Sequence, residues 1–247
     1  MPIAGHLTIG QLRQLLNSTE REPSRRARLF EPFGGRRAEV VNRLTDAVLA
    51  FIVNEGAALR KAKVLDYGCG VMPYAEAFTL AGARLTGADI GDNQYAHVRI
   101  AAEGKLPLPD QSVDYVVSFQ VLEHVPVPHN YLTEGHRVLK RGGKLFLTTH
   151  GLWPYHPTPN DYHRWTRAGL VCELERAGFH VQSVNHILNE YSAAVQCFVM
   201  SGDYRGAWKG CRTLVHFITH CVIRLLESWG RHEPQIPAVL CIQGVKL

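Results

Sequence analysis

The sequence has few of the residues that would announce a stapled or membrane-spanning chain. Its six cysteines, Cys69, Cys172, Cys197, Cys211, Cys221 and Cys241, stand singly and form no Cys-x-x-Cys pair. That excludes a disulfide framework and a zinc knuckle, and it points to a reducing compartment. Long hydrophobic runs are missing as well. The longest uncharged stretch in the apolar C-terminal part, Thr213 to Ile223, lies between Arg212 and Arg224, well short of the roughly 20 residues of a membrane span. Met1 to Leu16 has no long apolar segment, so no signal peptide is read and a cytoplasmic chain is expected. Neither sign of charge dominates: 27 Lys and Arg against 22 Asp and Glu leave a net +5, a mild pointer to anionic partners. Internal repeats and low-complexity segments are absent. What remains is 247 residues, 46% hydrophobic and 20% charged, a balance that excludes disordered, collagen-like and coiled-coil chains.

Hydrophobic periodicity predicts alternating strands and helices. A helix is expected over about Ala38 to Arg60, then a short strand at Val64-Leu65 running into the glycine turn Asp66-Tyr67-Gly68-Cys69-Gly70. Met72 to Ala81 reads as a helix, Arg84 to Asp89 as a strand, and Tyr95 to Ile100 as a short third strand. Val113 to Phe119 is apolar enough to be buried on both faces. Asn130 to Leu139 reads as a helix stopped by Gly142-Gly143, Lys144 to Thr149 as the fifth strand, and Thr166 to Ala177 as a capped helix. Val181 to Leu188 and Ala238 to Val245 are the sixth and seventh strands. Such alternation predicts an α/β fold, a doubly wound, mostly parallel sheet with helices on both faces. Ligands of such sheets bind at the carboxyl ends of the strands, where strand order reverses.

The turn after the first strand is the strongest chemical signal. Gly68 and Gly70 let backbone approach a ligand closely, and Asp89 at the end of the next strand suits two ribose hydroxyls. A nucleoside cofactor is implied. No Gly-Lys-Ser/Thr follows, so a phosphate-binding P-loop is excluded. Pro73 stands where a dinucleotide fingerprint has its third glycine. Asp66 would repel a pyrophosphate but suits an ammonium or sulfonium.

These residues resemble the class I S-adenosylmethionine-dependent methyltransferases, in the small-molecule branch called methyltransferase type 11. The resemblance runs from about Lys63 to Val184. It is carried by Val64 to Gly70, by Gly87-Ala88-Asp89-Ile90, by Leu106 to Asp114 ("LPLPDQSVD"), by Gln120-Val121-Leu122-Glu123-His124-Val125, and by Leu139 to Leu145 ("LKRGGKL"). It implies a Rossmann-like seven-stranded sheet with an N-terminal helical cap over residues 1–61, a cofactor-binding core over 62–190, a helical insertion over 191–235 and the last strand over 236–247, all in one domain. It implies S-adenosylmethionine as cofactor, held by Asp66, Gly68, Cys69, Gly70, Asp89, Ile90, Gln120 and Glu123. The aspartate that contacts the adenine amine in the family is Ala102 here, so Glu103 or a backbone group takes that role. A narrower similarity, to a subgroup with an "HPxPxDYxRWT" loop often met beside polysaccharide genes, lies in Thr148 to Thr166.

That loop carries His150, His156, Asp161, Tyr162, His163 and Arg164, a high density of titratable groups at the ligand edge. Methyl transfer from an activated donor needs chiefly a positioned nucleophile and removal of its proton. The candidate bases are His156, His150 and His124, with Asp161 and Tyr162 beside them. Glu123 either orients a base, binds the cofactor's amino end or simply favours a helix start. No metal constellation stands out, the only arrangement considered being His156, Asp161 and His163. The expected acceptor is a small molecule, a sugar or a nucleotide- or lipid-linked sugar, and not a nucleic acid. The alternatives are a nicotinamide oxidoreductase and a non-catalytic binding subunit of the same fold. Arg21, Arg25, Arg26, Arg28, Arg36 and Arg37, against Glu22 and Glu31, read as a solvated basic segment or as a cap for an anionic acceptor. In the insertion, Leu214, Phe217, Ile218, Cys221 and Leu225 form one helical face, and Arg212, His216, His220 and Arg224 a cationic stripe on another. The apolar side is expected to pack on the sheet domain or in a homodimer, the alternative being a membrane surface.

Overall fold

The computed structural model describes residues 7–32, 35–101, 103–201, 211–229 and 233–247. Three helices precede the sheet: α1 (Ile9–Thr19), α2 (Pro23–Leu29) and α3 (Ala38–Glu55). The core follows as β1 (Lys63–Tyr67), α4 (Ala75–Leu80), β2 (Arg84–Asp89), β3 (Val98–Arg99), β4 (Val113–Phe119), α5 (Pro128–Val138), β5 (Leu139–His150), α6 (Arg167–Arg176) and β6 (Phe179–Ile187). Then come α7 (Glu190–Ser201), α8 (Arg212–Trp229) and β7 (Val239–Lys246). The seven strands lie in the order β3-β2-β1-β4-β5-β7-β6. All neighbours are parallel except β7, which runs antiparallel to both β5 and β6. Strand order reverses between β1 and β4, so the crevice outside Tyr67, Asp89 and Phe119 is where this topology binds ligands.

Several boundaries differ from the sequence reading, each for a local reason. Helix α4 begins at Ala75 rather than Met72, because Met72 takes φ 52° and Tyr74 sits outside the helical region. Helix α3 ends at Glu55 and a 3₁₀ turn, Gly56–Leu59, completes the segment, since Gly56 leaves the helix at φ 47°. The third strand shrinks to Val98–Arg99 because Ala96 N–H turns back to the Asn93 carbonyl at 3.1 Å. Helix α5 begins two residues early, at Pro128, and stops before the glycines because Leu139 is already extended. β5 therefore starts at Leu139, not Lys144, and residues 140–143 are absorbed as an irregularity against β4, with Gly142 at φ 73°. β6 and β7 are each shifted by one or two residues. Thr166 caps α6 as expected, accepting from the Gly169 N–H at 3.1 Å.

Each sheet face buries its own cluster. On one, Phe51 of α3 stacks on Phe146 of β5 at 4.5 Å between ring centroids, with Leu49, Phe78 and Val117 around them. On the other, Tyr131, Leu132, Leu170 and Leu174 of α5 and α6 cover Leu65, Leu145 and Leu240. Burial of this kind contributes roughly 25 cal/mol per Å² of apolar surface.

The insertion departs most from expectation. It contains α7, which periodicity did not reveal, as well as α8, and residues 202–210 lie outside the described segments. Helix α8 is also turned round. His216 and His220 are buried, with Ile223 beside them. Leu214, Phe217, Ile218, Leu225 and Trp229 are exposed. The reason is Glu39 of α3, only 6% exposed. It receives Arg43 at 3.1 Å and Arg224 at 3.0 Å, and His220 Nδ1 lies 3.5 Å away. A buried carboxylate needs its cations, so the two histidines of the stripe face inward, Arg224 reaches Glu39 from the surface, and the apolar face points outward. The side chain of Arg212 is outside the described set. Among the described residues no helix is long and apolar enough to cross a membrane.

Candidate active site

The glycine turn is locked by hydrogen bonds to β2. The Gly68 and Cys69 N–H groups both donate to the Ala88 carbonyl, at 2.8 and 3.0 Å. Gly68 has φ 75° and Gly70 φ 51°, so both lie in the left-handed region that glycine adopts without strain. A Cβ on Gly70 would meet nothing within 4 Å, whereas one on Gly68 would sit 2.6 Å from Val121 Cγ1. Gly87 is small for a related reason: a Cβ there would lie 2.8 Å from both Cys69 Sγ and Met72 Sδ. Cys69 is buried and packs under the turn, where burial pushes its thiol up to about 12.

Asp89 organises the rim of this cradle. Its carboxylate accepts from Gly70 N–H at 2.8 Å, Ile90 N–H at 2.8 Å and Asn93 Nδ2 at 2.6 Å. Asn93 also donates to the Gly70 carbonyl at 2.7 Å. Asn93 is a site residue that sequence reasoning missed, and nothing in the motif pattern marked it. Ile90 is exposed on the same rim. Glu103 is exposed, and its loop is tied down by Tyr67, whose hydroxyl donates to the Gly104 carbonyl at 2.6 Å. Ala102 lies outside the described residues. Arg25 of α2 reaches this edge too. Its Nε donates to the Val71 carbonyl at 2.7 Å, and its guanidinium lies 5.2 Å from the Tyr95 ring centre. Arg25 is thus built in rather than solvated. Arg26 binds the Asn17 carbonyl and side chain, and Arg37 pairs with Glu31.

Asp66 is 2% exposed at the end of β1. Burial, reinforced by the Asp89 charge, raises its carboxyl from 3.8 to about 7. A carboxyl with a raised folded-state pKa stabilises the fold at low pH and loses that contribution as pH climbs from about 4 to about 7. Asp66→Asn, neutral at every pH, should therefore melt several degrees above the wild type at pH 8 in the cofactor-free protein. The gap should close by pH 4. Melting curves across that range check it, and a gap independent of pH would contradict the assignment.

The second half of the site lies beyond β4 and β5. Gln120, at φ 57°, turns back to Thr148, donating through its side chain at 3.0 Å. Glu123 follows in a 3₁₀ turn, Leu122–His124, and is fully buried. Thr149 donates to Glu123 Oε2 at 2.8 Å, while Oε1 has no hydrogen-bond partner. Burial raises this carboxyl to about 7, against the pull of its own backbone and Thr149. Three histidines surround it. His150 Nε2 lies 3.4 Å and His124 Nε2 3.9 Å from Oε1. The His156 ring centre is 5.0 Å from that of His150 and 4.9 Å from that of His124. Desolvation, with the neighbouring His156 second, holds His150 well below the usual imidazole range, and desolvation lowers His156 too.

The loop after β5 is rigid around Arg164. That side chain donates to the Trp153, Pro154 and His163 carbonyls and to both oxygens of Asp161. Asp161, whose burial alone would raise its carboxyl, is brought down to about 2 by Arg164 and the His156 N–H. The backbone N–H groups of Tyr162 and His163 donate to the Glu123 carbonyl, at 2.8 and 3.2 Å, joining the loop to the Glu123 turn. Trp153 stacks on His150 at 4.6 Å, while Tyr155 and Tyr162 point outward. The five predicted catalytic positions are thus brought together, with Asp161 serving the loop's ion pair and Tyr162 contributing backbone.

Residues 65–147 match the family model described as a methyltransferase domain. The match spans the segment from β1 to β5. The chain is 37% identical over 134 residues to a probable S-adenosylmethionine-dependent methyltransferase of Mycolicibacterium smegmatis, covering 48% of this chain and 52% of that one. It is 34% identical over 111 residues to the ubiquinone biosynthesis O-methyltransferase of Pseudomonas syringae pv. tomato, covering 39% and 48%. The chain spans about half the length of these curated relatives. The crystal structure of an S-adenosylmethionine-dependent methyltransferase from Mesorhizobium loti superposes with a TM-score of 0.53 at 17% identity, over 81% of this chain and 98% of that one. The described residues therefore have the Rossmann-like fold that the motifs implied.

Proposed function

We propose that this chain is an S-adenosylmethionine-dependent O-methyltransferase acting on a hydroxyl of a sugar or similar small molecule. The observation that carries the reading is the adjacency, at one sheet edge, of the Gly68–Gly70–Asp89 cradle and the histidine cluster around Glu123. The cradle fits a nucleoside cofactor with a cationic tail. Gly70 opens onto free space, Asp89 keeps one lone-pair site, on Oδ1, for a ribose hydroxyl, and the buried Asp66 carboxyl has a proton affinity that a nearby ammonium or sulfonium would lower. When bound, the cofactor supplies an activated methyl group. The protein's own work is to hold the acceptor in line and take its proton. His124 and His156 are the more exposed members of the cluster, with side chains 14% and 34% exposed. A His156 kept neutral by its surroundings is fitted to accept a proton. The exposed rings of Tyr155 and Tyr162 on the rigid loop suit the apolar face of a sugar ring.

Calorimetry with S-adenosylhomocysteine against NAD tests the cofactor, and methyl-donor turnover with hydroxyl-bearing acceptors tests the reaction. Asp89→Ala removes charge-assisted ribose bonds of roughly 1.5–3 kcal/mol, so S-adenosylhomocysteine should bind roughly 10- to 150-fold more weakly. An unchanged dissociation constant would remove Asp89 from the site, and NAD binding in place of S-adenosylhomocysteine would favour an oxidoreductase.

A further inference from the structure

The arrangement around Glu123 is richer than proton removal requires. One donor atom from each of Glu123, His150 and His156 lies within 4.8 Å of the others. Glu123 Oε1 is buried and has no hydrogen-bond partner, and His150 Nε2 lies 3.4 Å from it. Glu123 is 0% and His150 5% exposed. An unsatisfied carboxylate oxygen in such a place costs of the order of 1–3 kcal/mol, more if charged, and a cation held between it and the two imidazoles would satisfy it.

From this geometry we propose that Glu123, His150 and His156 bind a divalent transition-metal ion, with an open position toward the acceptor. Two imidazoles and one carboxylate are the donor set of catalytic zinc and of related borderline cations, which keep such open positions. Ligands of a tetrahedral ion at about 2.1 Å stand roughly 3.4 Å apart. His150 Nε2 and Glu123 Oε1 already have that separation, 3.4 Å. The donor atom of His156 lies within 4.8 Å of both. Ligands need outer support, and it is present: Thr149 fixes Glu123 at 2.8 Å, Trp153 stacks on His150, and Asp161 Oδ2 lies 3.6 Å from His156 Nδ1. Asp161 is itself held by Arg164, so it is a positioning residue. With His156 engaged by the ion, His124, outside the donor set and held through Nδ1 by the Asn160 carbonyl, would take over the proton-accepting role given above to His156. The ion's role in polarising an acceptor hydroxyl rests on the methyltransferase reading above, but its binding does not.

The test uses tag-free, chelator-stripped protein without cofactor or acceptor. Co²⁺ titration should develop ligand-field absorption saturating at one ion per chain, and Zn²⁺ should displace it. Glu123→Gln and His156→Ala should each weaken Co²⁺ binding by at least 100-fold, and Asp161→Asn by 10- to 100-fold. His156 sits on a loop, so its variant should keep the wild-type melting temperature even if the Glu123 variant does not. S-adenosylhomocysteine affinity should be the same with and without metal, so a failed metal titration leaves the cofactor reading standing. Absence of ligand-field absorption at millimolar Co²⁺, or equal uptake by wild type and His156→Ala, overturns the site.

Discussion

Alanine at Gly68 should leave the chain unable to hold S-adenosylhomocysteine at concentrations that saturate the wild type. Two costs combine at this position. A left-handed φ of 75° strains any residue with a Cβ, by roughly 1–2 kcal/mol. The new Cβ would also stand 2.6 and 2.7 Å from the two Val121 methyl carbons, and overpacking of this kind costs about 1–3 kcal/mol. Val121 lies between Gln120 and the Glu123 turn, so the clash falls where the two halves of the site meet. Gly70→Ala provides the comparison. It carries the φ strain but meets open space, so its melting temperature should fall less than that of Gly68→Ala. Adding Val121→Ala to Gly68→Ala should recover the steric part alone, and the cycle measures that coupling. Wild-type affinity in Gly68→Ala would show that the turn does not contact the cofactor.

The second large effect concerns turnover. On the proposed reading, His156→Ala should lower kcat by roughly 10²–10⁴ while cofactor affinity holds, because the ring belongs to the Glu123 cluster and not to the glycine cradle. His150→Ala should cost as much and should also destabilise the protein, since it removes the surface on which Trp153 stacks. The pH profile adds a sign. Burial holds His156 below the usual imidazole range, so activity that depends on its neutral form should persist to lower pH than an exposed histidine would allow. If both variants turn over like the wild type, the loop serves packing and His124 becomes the proton acceptor.

Much of the sheet and the cofactor half of the site was legible because short-range rules dictate it. A buried parallel strand needs an apolar run, and a tight turn against a ligand needs glycine, so β2 and β4 were delimited from periodicity and Gly68, Gly70 and Asp89 from spacing. Asn93 and Tyr67 escaped notice because their roles are tertiary: each ties one loop to another, and no local pattern marks such a partner. The same cause hid the metal-donor geometry. Glu123 and His150 are far apart in sequence, and only the parallel pairing of β4 with β5, Phe119 beside Thr148, brings their loops together. Helix α8 misled for an energetic reason. Its apolar face is the expected buried one, yet the buried carboxylate of Glu39, paired with Arg43 on its own helix, also draws Arg224 and His220 of α8 toward it.

The antiparallel β7 has a bearing on how the molecule is made. It is the last strand in the sequence, yet it lies between β5 and β6 and pairs with both over most of its length. β6 has no other neighbour in the sheet. During synthesis the first five strands can assemble as they emerge, but β6 waits with an unsatisfied edge until residues 239–246 arrive to fill the gap beside it. The Glu123 cluster waits as well, since His150 pairs with Val239 across that junction. A ribosome paused before β7 would therefore display the formed glycine turn beside Asp89, an open sheet edge and an incomplete Glu123 cluster. The glycine turn should thus be in place before the Glu123 cluster on every newly made chain.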